Sequence, residues 1–151
     1  ITLLSWKRMQ KIKVKIKKLH IDAKIPIHST EQSAGCDFYA LHSETILPGE
    51  TKKFPTGVAV EVPLGYYLRL EDRSGLALKG IHKVGGIVDS DYRGEICIIL
   101  HNGGKEPYTV EKHDRIVQGI LTPVSQVEFE EVSELSETKR GEGGFHSTGK
   151  K

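Results

Sequence analysis

The sequence predicts an all-β fold, a sandwich, jelly roll or barrel of short strands, and three observations favour it. The segment 11–18 alternates between lysine and apolar side chains, which is the period of a strand with one buried face. Short β-branched and apolar runs then recur between turn signals. Only residues 74–79 are typical of a helix. A length of 151 residues, with 37% hydrophobic and 28% charged residues, suits one domain with a buried core.

The first predicted strand, 11–18, places a row of lysines on one face and Ile12, Val14 and Ile16 on the other. The lysines form a local basic cluster with the basic residues just before them. A nucleic-acid-binding surface would favour aromatic side chains interleaved with these charges, and this segment has none. We therefore interpret the row as the solvated face of a strand.

Turn signals separate the strands that follow. They are Leu-Pro-Gly-Glu at 47–50, Pro-Leu-Gly at 63–65 and Asn-Gly-Gly at 102–104. The run at 95–100 is nearly all β-branched or apolar, which predicts a strand buried on both faces. The predicted strands after the first are 51–54, 58–62, 66–70, 95–100, 108–110 and 115–121.

The single helix signal, at 74–79, has Ser74 as a possible N-cap and Gly80 as the residue that ends it. Arg73 directly precedes this helix. A guanidinium can bind phosphate with two parallel hydrogen bonds, and helix N-termini attract anions. Arg73, Ser74 and Gly75 are therefore candidate phosphate contacts, with a plain capped helix as the alternative.

The segment 84–95 predicts a hairpin with its turn at residues 90–94. The glycine pair that ends at Gly86 lets another molecule approach the backbone closely. Asp89 follows two apolar residues at the end of one arm, where partial burial would make it a useful base. Tyr92 either stacks under a flat ligand or packs within the protein, and the pattern leaves both open.

The end of the chain predicts a flexible arm. An acidic stretch leads into residues 139–151, which contain four glycines, one aromatic residue and no aliphatic side chain. Such a segment cannot form a core of its own. Its glycine amides and Arg140 could wrap a phosphate, and Phe145 could stack on a base. A Gly-x-x-x-x-Gly-Lys match fails at Lys151, where a P-loop needs Ser or Thr. A disordered tail is the alternative.

Composition excludes several classes of function. The net charge of +2 does not indicate a polyanionic partner, and no apolar run approaches the roughly 18–20 residues of a membrane span. We expect neither nucleic acid nor a membrane as a partner. Two cysteines, Cys36 and Cys97, make no disulfide framework, and we expect a cytoplasmic protein with both as small core residues. The seven histidines lack metal-site spacing.

Five segments, in this order, resemble the five motifs of the trimeric deoxyuridine triphosphatase (dUTPase) family. The resemblance runs from about residue 11 to the C-terminus, and five motifs in register are far more specific than any one of them. The matching segments are Ala-Gly-Cys-Asp-Phe-Tyr-Ala at 34–40, Arg-Ser-Gly-Leu-Ala at 73–77, Gly-Ile-Val-Asp-Ser-Asp-Tyr-Arg-Gly at 86–94, Asp-Arg-Ile-Val-Gln at 114–118, and Arg-Gly-Glu-Gly-Gly-Phe at 140–145 with Ser-Thr-Gly at 147–149.

The resemblance implies a distorted jelly-roll or β-clip barrel of short strands, with one short helix and a flexible glycine-rich C-terminal arm. It implies a homotrimer with active sites shared between subunits, which hydrolyses dUTP to dUMP and pyrophosphate with Mg²⁺ held on the triphosphate. We expect an N-terminal extension at 1–10, a β-barrel core at 11–132, and an arm at 133–151 that closes over a neighbouring subunit's site.

The resemblance also implies a role for each matched residue. Asp89 would activate the water that attacks the α-phosphorus, and Asp37 would lie near the metal's waters without binding the metal. The backbone near Gly86 and Cys97 would read uracil. The other implied substrate contacts are Arg73, Ser74, Gly75 and Gln118 on the phosphates, Arg140 on the γ-phosphate, Tyr92 under the deoxyribose, Phe145 stacked on uracil, and Lys83 on the nucleoside.

Three positions depart from the family pattern. His146 stands where the fifth motif usually has glycine, and it could add a phosphate contact. Asp72 stands where proline is common and could weaken phosphate attraction. His113 replaces a usual turn glycine, and histidine tolerates the left-handed conformation reasonably well.

Two alternatives remain at this point. A dCTP deaminase shares the fold, but its chemistry needs a glutamate where this chain has Ile99. A catalytically silent β-trimer that binds nucleotides is the other alternative.

Overall fold

The computed structural model describes residues 11–145, whose strands form three open sheets of four, two and five strands. The predicted all-β class is confirmed, with open sheets in place of a closed barrel across this range. The elements are β1 (Lys15–Lys18), β2 (Ile27–His28), β3 (Cys36–Tyr39), β4 (Glu44–Ile46), β5 (Thr51–Glu61), β6 (Tyr66–Glu71), α1 (Ser74–Leu78), β7 (Ile81–Lys83), β8 (Ile87–Val88), β9 (Glu95–Asn102), β10 (Tyr108–Val110) and β11 (Arg115–Pro123).

The four-stranded sheet has the order β1-β5-β9-β7, and all its pairs are antiparallel. Strand β1 is shorter than the predicted 11–18, because its pairing stops where Lys15 meets Glu61 at the end of β5. The two strands predicted at 51–54 and 58–62 are one long strand. Its pairing with β9 shifts register around Gly57. Gly57 has φ +73° and lies so close to Ala23 that a side chain at position 57 would clash with it.

Strand β9 is not buried on both faces, so that prediction is wrong for the single chain. Ile96, Ile98 and Leu100 are buried, whereas Ile99 between them is 41% exposed. The cause is that the core covers only one face of this sheet, which leaves alternate side chains on the outside.

The five-stranded sheet has the order β2-β3-β11-β6-β8. The two arms of the predicted hairpin at 84–95 do not pair with each other. Val88 of β8 pairs with Leu68 of β6, and β9 pairs instead with β7, at Lys83 opposite Leu100. Residues 84–94 therefore form a long loop that leaves one sheet, joins the edge of the other and returns.

The helix α1 is the short element that the sequence predicts, but Ser74 is not its N-cap. Arg73 occupies that position with extended backbone and makes no side-chain capping hydrogen bond. The C-terminal prediction is confirmed, because Gly80 has φ +81° and its amide donates to the carbonyl of Ala77 at 2.9 Å. His113 has φ +69°, so it adopts the left-handed conformation expected for its turn.

One apolar core lies between the two large sheets. The four-stranded sheet contributes residues such as Phe54 and Ile98, and the five-stranded sheet contributes Phe38 and Val117. The chain leaves this core after β11, and side chains from residue 123 to residue 142 are exposed. No helix within residues 11–145 is long and apolar enough to cross a membrane.

Candidate active site

A buried carboxylate between two arginines marks one end of the five-stranded sheet. Asp37 on β3 is 7% exposed. Its Oδ1 lies 3.4 Å from Arg73 Nε, and its Oδ2 lies 3.6 Å from Arg115 Nη1. The hydroxyl of Ser29 donates to the same Oδ2 at 2.5 Å. The carboxylate is therefore fully engaged within the chain by two cations and one hydroxyl.

These contacts hold the Arg73 side chain in one orientation. Its Nε faces Asp37, and its Nη1 donates to the carbonyl of Arg115 at 2.9 Å. A guanidinium has five N–H groups, so about three are left for another acceptor. The neighbouring Ser74 and Gly75 are exposed, with nothing within 4 Å of the point where a Cβ on Gly75 would lie. This segment can accept an anion without rearrangement of Arg73.

Gln118 lies beside this cluster, because β11 places it opposite Asp37 on one side and Glu71 on the other. Its amide nitrogen donates to the main-chain carbonyl of Asp72 at 3.0 Å. The Asp72 carboxylate turns away from this bond and accepts the amide N–H of Lys83 at 2.6 Å. Gln118 and Asp72 thus connect the Arg73 segment to β7.

The loop at 84–94 begins with a close backbone approach. Gly86 has φ +118°, and a Cβ there would lie 3.1 Å from the carbonyl oxygen of Leu70. The Gly86 carbonyl accepts the Leu70 amide at 2.8 Å, and the Val84 amide donates to the Ile99 carbonyl at 2.9 Å. Lys83 extends along the same loop, with Nζ 2.9 Å from the Gly85 carbonyl. Only glycine fits at position 86.

Asp89 follows β8 and is exposed, so the expected partial burial is absent in the single chain. The reason is that β8 has only two residues and ends at the surface. Among residues 11–145 the Asp89 carboxylate has no hydrogen-bond or ion-pair partner, whereas its carbonyl accepts the Tyr92 amide at 3.2 Å. The carboxylate is therefore open to hydrogen bonds from a ligand or from water.

Tyr92 packs within its own loop. Its hydroxyl donates to the Glu95 carbonyl at 2.9 Å, and its ring atoms occupy the space where a Cβ on Gly94 would lie. The ring is about half exposed, so one face is available to a ligand as well. Both interpretations that the sequence left open are compatible with this position.

The remaining predicted residues lie on β9 and on the arm. Cys97 is half-buried and free, opposite Pro55 of β5, and burial raises the pKa of its thiol. Arg140 donates from Nε to the Gly143 carbonyl at 2.8 Å, and Phe145 is fully exposed. His146 lies outside the described residues.

One chain thus holds two separate groups of predicted residues. Asp37, Arg73 and Gln118 gather at the sheet end, and Asp89 and Tyr92 lie on the 84–94 loop. No hydrogen bond or ion pair of the described range joins the two groups directly. No sequence pattern indicated Ser29, and Arg115 lies inside a matched motif but had no assigned role.

The described residues contain no group of three His, Cys, Asp or Glu side chains that could hold a metal ion. Asp37 is also committed to its two arginines. The part of a single chain that the structure describes therefore offers no ready-made set of metal ligands. The location of Asp37 near such an ion's waters stays a prediction.

The fold class is an all-β protein of open sheets, and its orientated Arg73 and close glycine backbone are compatible with binding of a phosphate-containing ligand. The family model for dUTPase matches residues 22–149. The chain belongs to the dUTPase family.

Relatives and solved structures agree with this assignment. The chain is 47% identical over 142 residues to a deoxyuridine 5'-triphosphate nucleotidohydrolase of Nautilia profundicola, with 92% of this chain and 100% of that protein covered. It is 45% identical over 139 residues to the protein of the same name in Clostridioides difficile, covering 90% and 97%. The dUTPase of Staphylococcus bacteriophage 80alpha with dUpNHpp matches with a TM-score of 0.86 at 27% identity, covering 92% and 99%.

Proposed function

We propose that this chain is a dUTP diphosphatase, which hydrolyses dUTP to dUMP and pyrophosphate. The reaction supplies dUMP for thymidylate synthesis and keeps uracil out of DNA. The observation that carries this proposal is the free, exposed carboxylate of Asp89 within the third motif of a chain that belongs to the dUTPase family.

Asp89 is the general base. It accepts a proton from the water whose oxygen attacks the α-phosphorus, and the bond from that phosphorus to the bridging oxygen of the β-phosphate breaks. The pyrophosphate leaves with the electrons of that bond. The absence of a competing partner for the Asp89 carboxylate within residues 11–145 supports this role.

Arg73, Ser74, Gly75 and Gln118 hold the phosphates. The orientation of the Arg73 guanidinium supports this role. Asp37 holds its Nε, and other N–H groups of the guanidinium remain available to a phosphate. Phosphoryl transfer depends on positioning and charge neutralisation, which these donors supply. Mg²⁺ enters as part of the substrate and neutralises charge on the triphosphate oxygens.

The backbone at Gly86 and Cys97 reads the polar edge of uracil, Tyr92 lies under the deoxyribose, and Lys83 contacts the nucleoside. The close packing of Gly86 against Leu70 supports a firmly held backbone at this point, and the proposed base pocket has no room for the methyl group of thymine. Tyr92 is held rigidly by its bond to Glu95, which suits exclusion of a 2′-hydroxyl.

The active protein is a homotrimer with shared sites. The separation of the Arg73 group from Asp89 within one chain supports completion of each site by another chain. The arm at 133–151 closes over a neighbouring site, with Arg140 on the γ-phosphate, Phe145 on uracil and His146 near the phosphates. The full exposure of Phe145 supports this role for the arm. The two free cysteines are compatible with a cytoplasmic location.

Pyrophosphate release in the presence of Mg²⁺ tests the proposal, with dUTP, dTTP, UTP and dCTP compared. We expect fast release from dUTP alone.

Asp89→Asn should abolish turnover and retain dUTP binding, whereas Asp91→Asn, an equal charge change at an exposed turn residue, should retain turnover. Release from none of the four nucleotides would refute the proposal, and ammonia release from dCTP would favour a deaminase.

A further inference from the structure

Asp72 connects the proposed phosphate-binding segment to the proposed base-binding loop. It lies between β6 and α1, directly before Arg73. Its side-chain Oδ1 accepts the Lys83 amide at 2.6 Å, and its main-chain carbonyl accepts the Gln118 amide at 3.0 Å. A residue without a side-chain acceptor at position 72 would leave the Lys83 amide without this bond.

The Lys83 amide depends on this side chain because of its place at a sheet edge. Strand β7 is an outer strand of its sheet and pairs only with β9. Alternate N–H groups of a strand point to opposite sides, and the next amide, that of Val84, already donates to the Ile99 carbonyl. The Lys83 N–H therefore points away from β9, towards Asp72.

Besides the bond within the segment from Lys83 Nζ to the Gly85 carbonyl, three hydrogen bonds join residues 83–86 to other parts of the chain. These three run from Lys83 to Asp72, from Val84 to Ile99, and from Leu70 to Gly86. Of these three, only the bond to Asp72 uses a side chain, so only this one can be removed by a single side-chain substitution. The bond is also short and has a carboxylate as its acceptor, and both features are typical of a strong hydrogen bond.

Asp89 is held by a different set of contacts. Val88, the residue before it, pairs with Leu68 in the β6–β8 ladder. Loss of the Asp72 bond should therefore displace the base-binding start of the loop more than its catalytic end. The consequence for kinetics is weaker binding of the nucleoside with little change in the chemical step.

We propose that Asp72 is a positioning residue that sets the Lys83–Gly86 backbone relative to Arg73, and that it acts through its acceptor oxygen. The inference rests on the proposed function, because the base-binding role of this backbone does. The negative charge of Asp72, next to Arg73, opposes triphosphate binding, so charge and acceptor have opposite effects on affinity.

Two variants separate these effects. Asp72→Ala removes both the charge and the acceptor, whereas Asp72→Asn removes the charge and keeps Oδ1. The alanine variant should raise KM for dUTP about tenfold over the asparagine variant, with kcat of the two within about twofold, because the asparagine variant keeps a neutral hydrogen bond to the Lys83 amide and the alanine variant loses it. The asparagine variant should have a KM at or below that of the unmodified protein.

Ligand fragments locate the effect. Inhibition by dUMP should weaken in the alanine variant relative to the asparagine variant. Inhibition by pyrophosphate should be equal in the two, because both lack the charge beside Arg73. Amide hydrogen exchange at Lys83 should accelerate in the alanine variant and stay slow in the asparagine variant.

Equal KM values and equal dUMP affinities in the two variants would overturn the inference, as would a joint loss of kcat in both. A merely structural role would lower the melting temperature of the alanine variant without this difference in KM. If the unmodified protein releases no pyrophosphate, the proposed function fails. The dUMP affinities, measured by calorimetry, then still decide whether Asp72 positions the loop.

Discussion

Replacement of Asp37 by asparagine removes the negative charge between Arg73 and Arg115 while it preserves the size of the side chain. The carboxylate is buried, and its two oxygens lie 3.4 and 3.6 Å from nitrogens of the two guanidiniums. In the variant both arginines lose their counter-charge, and Arg73 loses the contact that orientates its Nε. We therefore expect reduced stability and reduced phosphate affinity together.

The expected loss of stability depends on how exposed the Arg73 and Arg115 side chains are. A fully buried charge left without its partner costs about 3–5 kcal/mol. Here the side chains of Arg73 and Arg115 are 31% and 49% exposed, so water compensates part of the loss. We expect a decrease of about 1–3 kcal/mol in the free energy of unfolding, or roughly 3–10 °C in melting temperature for a chain of this length.

Thermal denaturation at a fixed protomer concentration and pyrophosphate release measure the two effects. The kcat/KM for dUTP should fall about 10-fold to 100-fold, the equivalent of one charge-assisted hydrogen bond at Arg73. Ser29→Ala is the matched control, since it removes one hydrogen bond to the same carboxylate and leaves both ion pairs. It should cost about 1 kcal/mol and leave kcat/KM within a few fold. An Asp37→Asn variant with unchanged melting temperature and kcat/KM would refute the assigned role of Asp37.

Three further predictions concern the core, the arm and the thiols. Asn102 is fully buried and its amide makes three hydrogen bonds, so Asn102→Ala should reduce the free energy of unfolding by about 2–4 kcal/mol, measured by urea denaturation. Deletion of residues 139–151 should strongly reduce dUTP turnover, measured by pyrophosphate release, and shift the melting temperature by less than about 2 °C, because the side chains of its described part pack little; a larger shift would make the arm structural. Burial raises the pKa of the Cys36 and Cys97 thiols, so iodoacetamide should alkylate both more slowly than free cysteine, as mass spectrometry would show. Because burial raises the pKa of both thiols in the folded state, the part of the free energy of unfolding that depends on their protonation is fully present below the pKa of the unfolded thiols. It declines as the pH rises above that value.

Local signals in the sequence predicted the elements that depend on local physics. The turn at 47–50 and the conformation of Gly80 follow from backbone preferences of the residues themselves, and both are confirmed. The pairing of β8 was not predictable in the same way. Two apolar residues, Ile87 and Val88, can join any available edge, and the choice of β6 over β9 depends on residues far away in the chain.

The same distinction applies to the site. The motifs made Arg73 and Asp89 candidate site residues without any knowledge of the fold, because each motif is contiguous. The contacts that hold Arg73 come from β3 and from the start of β11, and Ser29 joins them from the end of β2. No local pattern indicates that these three segments meet. The hydrogen bond of Asp72 was not predictable for the same reason, since the Lys83 amide that it accepts is eleven residues away.

The exposure of Asp89 has a consequence for the proposed mechanism. In the single chain Asp89 is exposed to bulk water. On the proposed mechanism, substrate and a neighbouring chain's arm cover the 84–94 loop, and closure of the arm excludes bulk water from the reacting groups. On this basis the arm deletion should lower kcat more than it raises KM, whereas loss of simple binding contacts from Phe145 would raise KM alone.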